Sequence, residues 1–356
     1  MDAEATFLSL LCTFGTWYNS SGSAEGSSKT SNATNSSTGS LERFTVEWQH
    51  FSPPWQMSLL QICPILCFLA VLLVIPLILV KVFSNPRMRR ETRYLLLANA
   101  LLCDLMFISF YMLTTCFSAA GVLMSKEACA SLLYFLGVFY GAGVLTTKAM
   151  VLDTSLAVLL PLRYLSLWPV SRTKKAILMM WLSSLLLPAA SVGLFLWYQS
   201  SSPCMLQICS LPLLLVLTVN SSRPLRVFLL VALTCLLVCL LLVFCGYVIL
   251  YYKTRHSGIW RGCFSRAKGT FLIHYLLLFL SCCPALVLVI ELLLYTGNGI
   301  DLRTDLWVSL VICNILVVLP KTLCPYMYGL RYRDLSKAVL AFYRLKWPRP
   351  AVSPLT

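Results

Sequence analysis

The chain has 356 residues, 59% of them hydrophobic and 12% charged, with a mean hydropathy of +0.81. A soluble globular protein is nearer half apolar and a quarter charged, so this composition excludes an ordinary soluble domain and points to a membrane protein. The +15 net charge resides in short segments between apolar runs rather than in a solvated basic domain, which excludes nucleic acid as a partner.

Residues 1–56 are rich in Ser, Gly, Thr and Asn. They cannot bury a core, so they read as a disordered N-terminal domain. Three glycosylation sequons lie there, at Asn19, Asn32 and Asn35. The apolar run 7–17 is short and follows Asp2 and Glu4 rather than basic residues, a poor signal peptide. A membrane-crossing helix needs about 20 mainly apolar residues. Seven stretches meet that, at about 57–83, 94–119, 128–152, 176–198, 226–252, 270–295 and 306–329. The run 211–219 is half the needed length. Most of the sixteen cysteines, such as Cys63, Cys67, Cys103, Cys235, Cys239 and Cys245, fall inside apolar runs and act as small hydrophobes. No Cys/His spacing suggests zinc, and nothing calls for a cofactor. Paired carboxylates, a Ser-His-Asp set and a phosphate loop are all missing, so the sequence does not read as an enzyme.

Basic residues set the orientation, because Lys and Arg collect on the cytosolic side. One set of connecting segments holds twenty of the 28: Lys81, Arg87, Arg89, Arg90 and Arg93; Arg163, Arg172, Lys174 and Lys175; Lys253, Arg255, Arg261, Arg266 and Lys268; and six from Arg331 onward. The opposite set holds six, and Lys148 and Lys321 lie inside spans. The expected protein is a multi-pass plasma-membrane protein. Its N-terminus is outside, a seven-helix bundle covers 57–330, and a short cytoplasmic tail covers 331–356.

Two charges are expected in mid-membrane. Asp104 lies about 10 residues, or about 15 Å, from the cytosolic end of span two, and Lys321 about 9 residues, or about 14 Å, from that of span seven. An isolated charge there costs about 2.5–3.5 kcal/mol on insertion scales. The matched depths therefore suggest a buried ion pair; the competing reading has Lys321 facing a water-filled cavity or lying neutral. Lys148 can snorkel to the inner interface. Glu291, near the outer end of span six, either reaches water or serves as counter-ion to a cationic ligand.

Several motifs in these spans resemble the rhodopsin-like (class A) G-protein-coupled receptors. NALLCDL at 99–105 resembles the second-helix signature with its buried Asp, and LAVLLPLRY at 156–164 resembles the second intracellular loop. Trp181 with Ser184 resembles the fourth-helix tryptophan motif. Tyr247 matches the fifth-helix tyrosine, Cys283-Pro284 the sixth-helix proline motif, and CPYMY at 324–328 the seventh-helix NPxxY. A segment from 329 to 347 resembles the amphipathic eighth helix, which lies on membrane lipid. The combined resemblance covers residues 57–347. It implies an all-α seven-transmembrane bundle that couples an extracellular ligand to a heterotrimeric G protein.

The resemblance also assigns residues. It implies a disulfide from Cys129 to Cys209 or Cys204, with Cys209 favoured as nearer span five. The helix switch would use Tyr247, Cys282, Pro284, Pro325 and Tyr328, Pro284 permitting a kink. The G-protein surface would include Asp153, Thr154, Pro161, Arg163, Arg266 and Lys268, the last two also favouring anionic headgroups. The ligand pocket would include Leu136, Tyr140, Val289, Glu291 and Asn314. Leu136 stands where aminergic receptors carry their Asp, which argues against a biogenic amine. The family also holds a sodium ion beside the second-helix Asp, and Lys321 is placed to replace it.

Four departures stand out. Asp-Arg-Tyr has become Asp153-Thr154-Ser155, the sixth-helix Trp is Cys282, the Asn of NPxxY is Cys324, and the fifth-helix proline position is Cys239. Thr154 can neither latch Asp153 nor touch a G protein as Arg does. Asp153 must find another partner, with Arg163 nearest in sequence, or face water. Coupling is expected to be weak or altered. Two alternatives remain: a non-signalling seven-helix decoy, chaperone or dimer partner, favoured by the missing Arg and Trp, and a transporter, disfavoured by the absence of an internal repeat.

Overall fold

Asn85 and Pro86 end the first long helix and turn the chain back into the second. The Asn85 side chain accepts the Arg87 amide at 3.1 Å, an Asx turn, and a 3-10 turn follows at Met88–Arg90. The computed structural model describes residues 54–120, 122, 124–159, 164, 169–198, 205–206, 209, scattered positions between 227 and 290, 311, 313–331, 335 and 337. Helix α1 is Pro54–Ser84, α2 is Thr92–Ala119, α3 is Lys126–Leu159 and α4 is Val170–Tyr198. A π-helical turn at Cys313–Val317 leads into α5, Val318–Arg331, which belongs to span seven of the sequence. Among the described residues, four helices are long and apolar enough to cross a membrane, and Ile315–Tyr328 adds a shorter apolar one.

The helices reach further than hydropathy indicates. Span three was expected to end at 152, yet α3 continues to Leu159, and α4 begins at Val170 rather than 176. Hydropathy stops counting at the first polar group, whereas helical hydrogen bonding does not. Thr154 Oγ1 donates back to the Met150 carbonyl at 2.9 Å and Ser155 Oγ to that of Val151 at 2.8 Å. Both hydroxyls are satisfied within the helix, so polarity alone does not terminate it. Asp153 is therefore one residue along a continuing helix, not its last.

Helix α2 is the hub. Sixty-one per cent of its apolar stretch is buried within the protein, against 6% for α4. Leu97, Leu101, Phe107 and Ile108 of α2 join Val71, Ile75, Ile78 and Val82 of α1 in one core. Helix α4 instead shows Leu178, Met179 and Leu186 outward, as suits a face against lipid tails. It is held to α3 by close backbone approach. A Cβ on Gly137 would meet the Pro188 ring at 2.9 Å, and one on Gly141 would meet Ser184 Cβ at 3.4 Å. This small-xxx-small contact is the usual way helices associate where no hydrophobic force acts between them.

Before α3, Met124–Ser125 (β1) pairs antiparallel with Met205–Leu206 (β2), Met124 opposite Leu206. Ser125 Oγ caps α3 by accepting the Ala128 amide at 3.2 Å.

Candidate functional site

Asp104 of α2 and Lys321 of α5 meet in the middle of the bundle. Lys321 Nζ donates to Asp104 Oδ1 at 2.8 Å, and the two side chains are 10% and 8% exposed. Phe107 lies one helical turn from Asp104, and its ring centroid is 4.9 Å from the ammonium. The Tyr140 ring of α3 faces it at 5.1 Å. Cys324, one turn along α5 from Lys321, is buried and lines the same cavity as Asp104. Gly143 makes the site possible: a Cβ there would stand 3.1 Å from Lys321 Nζ and 3.5 Å from Asp104 Oδ1. The cation is thus held by one carboxylate and two ring faces, the kind of desolvated setting in which cation–π attraction reaches about 2 kcal/mol.

A cavity of about 40 Å³ adjoins the pair, lined by Tyr140, Thr147, Leu316, Pro320 and Tyr328 among others. At about 10–15 Å³ per water it has room for about three. Tyr326 fastens α5 to α1 by donating its hydroxyl to the Ala70 carbonyl at 2.9 Å. Tyr328 is buried at 1% exposure, and Pro325 lies within α5.

Two further ties hold the helices around this centre. Trp181 Nε1 donates to Asn99 Oδ1 at 3.0 Å, and Asn99 Nδ2 donates to Thr146 Oγ1 at 2.8 Å. This bonds α4 to α2 to α3 without charge. At the far end of α3, Cys129 is disulfide-bonded to Cys209, with Cα atoms 5.7 Å apart. The bond fixes the β2 segment over the start of α3.

At the opposite end of α3, Asp153 is 6% exposed and accepts the Tyr164 hydroxyl at 2.7 Å. Nearby, Thr92, the first residue of α2, accepts from Thr173 Oγ1 of α4 at 3.3 Å. Burial first, then the bond to Asp153 and its charge, raises the Tyr164 phenol above its ordinary pKa, so it remains a donor. Tyr164, the residue after Arg163, is thus one partner of Asp153, which sequence reasoning missed; Arg163 itself lies outside the described residues.

No protein-family profile matches the chain. It is similar to Probable G-protein coupled receptor 148 of Homo sapiens, 33% identical over 276 residues, which are 75% of this chain and 77% of that protein. It is also similar to Olfactory receptor 4K2 of Homo sapiens, 24% identical over 272 residues, 74% of this chain and 81% of that protein. The chain belongs to the rhodopsin-like G-protein-coupled receptors. This receptor is accordingly a multi-pass membrane protein with a seven-transmembrane helix bundle, of which α1 to α4 are the first four helices and α5 part of the seventh. Its relatives are receptors rather than enzymes.

The receptor's other expected site residues fall in several places. Leu136 is packed in the core at 2% exposure, and Tyr140 lines the cavity beside the ion pair. Thr154 donates to the Met150 carbonyl of its own helix. Asn314 falls in the π-helical turn before α5. Asn19, Asn32, Asn35, Pro161, Arg163, Cys204, Tyr247, Arg266, Lys268, Cys282, Pro284, Val289 and Glu291 lie outside the described residues. Sequence reasoning also missed Phe107 and Gly143. Phe107 was within reach, since a residue three positions after Asp104 shares its helix face. Among the described residues, no group of three or more His, Cys, Asp or Glu could hold a metal ion.

Proposed function

We propose that the chain is a cell-surface receptor, not an enzyme, whose outer cavity takes a ligand and whose inner face engages a heterotrimeric G protein with weak or altered coupling. Twenty of the 28 basic residues on one set of connecting segments support an extracellular N-terminus and a cytoplasmic C-terminus. On that orientation Asn19, Asn32 and Asn35 are glycan acceptors, and the segment after Arg331 lies on the inner leaflet. Leu136, Tyr140, Val289, Glu291 and Asn314 are the residues assigned to the ligand pocket. A ligand acts by binding one arrangement of spans six and seven more tightly than the other, using Tyr247, Cys282, Pro284, Pro325 and Tyr328 as the moving parts. Arg266 and Lys268 join Asp153, Thr154, Pro161 and Arg163 on the surface the G protein meets.

The observation that carries this reading is the 2.8 Å Lys321–Asp104 bond. It joins spans two and seven where the family holds a mobile sodium ion, so Lys321 is a tethered cation in the ion's place. Any motion of span seven must carry or break that bond. Thr154, satisfied by Met150, supports weak coupling and also favours the non-signalling alternative.

The test is ligand-free activation of each G-protein class by the expressed receptor, from sodium-free to physiological sodium. The expected result is low but measurable activation, flat across sodium. Strong sodium dependence abolished by Asp104→Ala overturns the tethered-cation reading. Silence both in the native chain and in a chimera carrying another receptor's inner loops overturns the receptor reading.

A further inference from the structure

The start of α4 carries charges of the wrong sign for a helix. Arg172, Lys174 and Lys175 fall within its first two turns, and its first turn has no acidic residue. That end of a helix is its positive pole, where acids stabilise and cations repel. A second set of cations belongs to the turn between α1 and α2. Its backbone is tightly wound: the Arg89 amide bonds the Asn85 carbonyl at 3.2 Å and the Arg90 amide that of Arg87 at 3.2 Å. Met88 is sunk into the core at 5% exposure, which pins the turn and leaves Arg87, Arg89 and Arg90 exposed. The two sets are tied together, because Thr173 Oγ1 of α4 donates to Thr92 Oγ1 of α2 at 3.3 Å. The acid of these two segments, Glu91, is taken by Arg93 at 3.4 Å. Among the described residues, Arg87, Arg89, Arg90, Lys174 and Lys175 have no ion pair.

The surface changes character one turn deeper. Leu178 and Met179 follow Lys174 and Lys175 by four residues, so each shares the face of its lysine, and they are 59% and 64% exposed. Cations at the helix end with bare apolar side chains above them match the profile of a phospholipid, whose acyl chains would cover Leu178 and Met179. A phosphate ester free in solution would use the cationic half alone. Guanidinium groups hold phosphate oxygens in bidentate fashion, and a patch of uncompensated cations calls for several negative charges on one headgroup. We propose that the turn between α1 and α2 and the start of α4 together form a site for an anionic phospholipid whose headgroup carries phosphomonoesters, a phosphorylated inositol lipid in chemistry. Phosphatidylserine is a poorer fit, since it brings an ammonium of its own and leaves most of the cations unmet. The proposed orientation puts this site in the inner leaflet. Binding does not depend on that orientation or on coupling to a G protein, so the site is tested separately from both.

The full receptor, purified in neutral detergent, is offered phosphatidylcholine, phosphatidylserine and a bisphosphorylated inositol lipid, and the lipid retained is read by native mass spectrometry. The native chain should hold the bisphosphorylated lipid about tenfold better than phosphatidylserine. A cation close to an anionic surface contributes about fivefold to the attraction. The pair Arg89→Gln, Arg90→Gln and the pair Lys174→Gln, Lys175→Gln should therefore each weaken retention by about tenfold or more. Lys174→Arg with Lys175→Arg keeps the charge and should keep the lipid. Lys337→Gln removes an exposed cation elsewhere and should match the native chain. These side chains are exposed, so melting in phosphatidylcholine alone should be unchanged throughout. Equal retention of phosphatidylserine, native retention in both Gln pairs, or an equal loss in Lys337→Gln overturns the site. Displacement of the lipid by an equal concentration of its soluble inositol phosphate headgroup overturns the lipid as occupant and makes the patch a site for free phosphate esters.

Discussion

Replacing Lys321 by Met removes the charge from mid-bundle and keeps most of the volume. The consequence is set by what stays behind. Asp104 is 6% exposed, and the change removes the ammonium that lies 2.8 Å from its carboxylate. Removing one partner of a buried pair costs about 3–5 kcal/mol, because the remaining charge is left uncompensated. A melting temperature falls by about 2–4 °C per kcal/mol in a large domain, so Lys321→Met should melt roughly 6–20 °C below the native receptor. Adding Asp104→Asn removes the stranded charge and should recover much of that loss, since replacing a buried ion pair with neutral groups is often close to neutral. The assay is thermal unfolding in nanodiscs read by intrinsic fluorescence of the nine tryptophans, which leaves the many thiols undisturbed. Sodium should raise the melting temperature of Lys321→Met, where the carboxylate is exposed to a mobile ion, and leave the native receptor unchanged. A Lys321→Met protein that melts with the native one, or a double variant less stable than the single, would refute the account of Lys321 as the compensating charge.

Three further outcomes follow from the same geometry. Gly143→Ala places a methyl 3.1 Å from Lys321 Nζ and should cost about 1–3 kcal/mol by overpacking; the loss should vanish in a Lys321→Met background, as a double-mutant cycle of melts will show. Trp181→Phe removes the N–H donated to Asn99 and should cost about 0.5–1.5 kcal/mol, read as a drop of a few degrees in the same unfolding assay. Cys209→Ser opens a bridge between residues 80 apart in sequence; a loss of about 2–5 kcal/mol should sharply reduce the receptor counted at the cell surface by antibody to an N-terminal tag.

The helices and the central charges were legible in the sequence for the same reason. A bilayer imposes a length on apolar runs and a cost on charges, and both can be counted along the chain. Asp104 and Lys321 were matched by depth alone, and the structure sets them 2.8 Å apart. What depth does not convey is direction around a helix axis. Phe107 and Tyr140 flank the ammonium and Gly143 gives it room because three helices turn particular faces toward one point. Gly137 and Gly141 stood in plain view as a small-xxx-small spacing, yet only the approach of Pro188 and Ser184 shows which helix they serve. The inner end was hardest to read. For the lone carboxylate Asp153 the sequence offered Arg163 or water, and the structure adds the Tyr164 phenol, a neutral donor that a search for opposite charges passes over. The cysteine choice lay between these extremes: two candidates shared one short segment, and the strand pairing of Met205–Leu206 with Met124–Ser125 brings Cys209 to Cys129.

The two buried carboxylates share a design that bears on how such a receptor responds. Where a mobile ion pairs with the second-helix Asp, a rearrangement can expel the ion to solvent, and the pairing energy is set by its concentration. Here the partners are Lys321 and Tyr164, both covalently part of the chain. Their effective concentration is constant, and neither can leave. A ligand that moves span seven must therefore supply differential affinity enough to stretch a desolvated ion pair in addition to repacking the helix. Taking a two-state equilibrium from 1:99 to 99:1 already needs about 5.5 kcal/mol of differential affinity, and a resting tie of a few kcal/mol adds directly to that. The resting state is deepened from within, and no change in sodium relieves it. On the proposed reading, weak ligand-free signalling is expected from strong internal pairing as well as from the missing Arg. The two causes separate cleanly: Thr154→Arg acts only at the inner face, whereas the paired Lys321→Met, Asp104→Asn change lowers the central tie without touching that face. If the tie sets the response, the paired change raises ligand-free activation and Thr154→Arg does not; the reverse result places the weakness at the inner face alone.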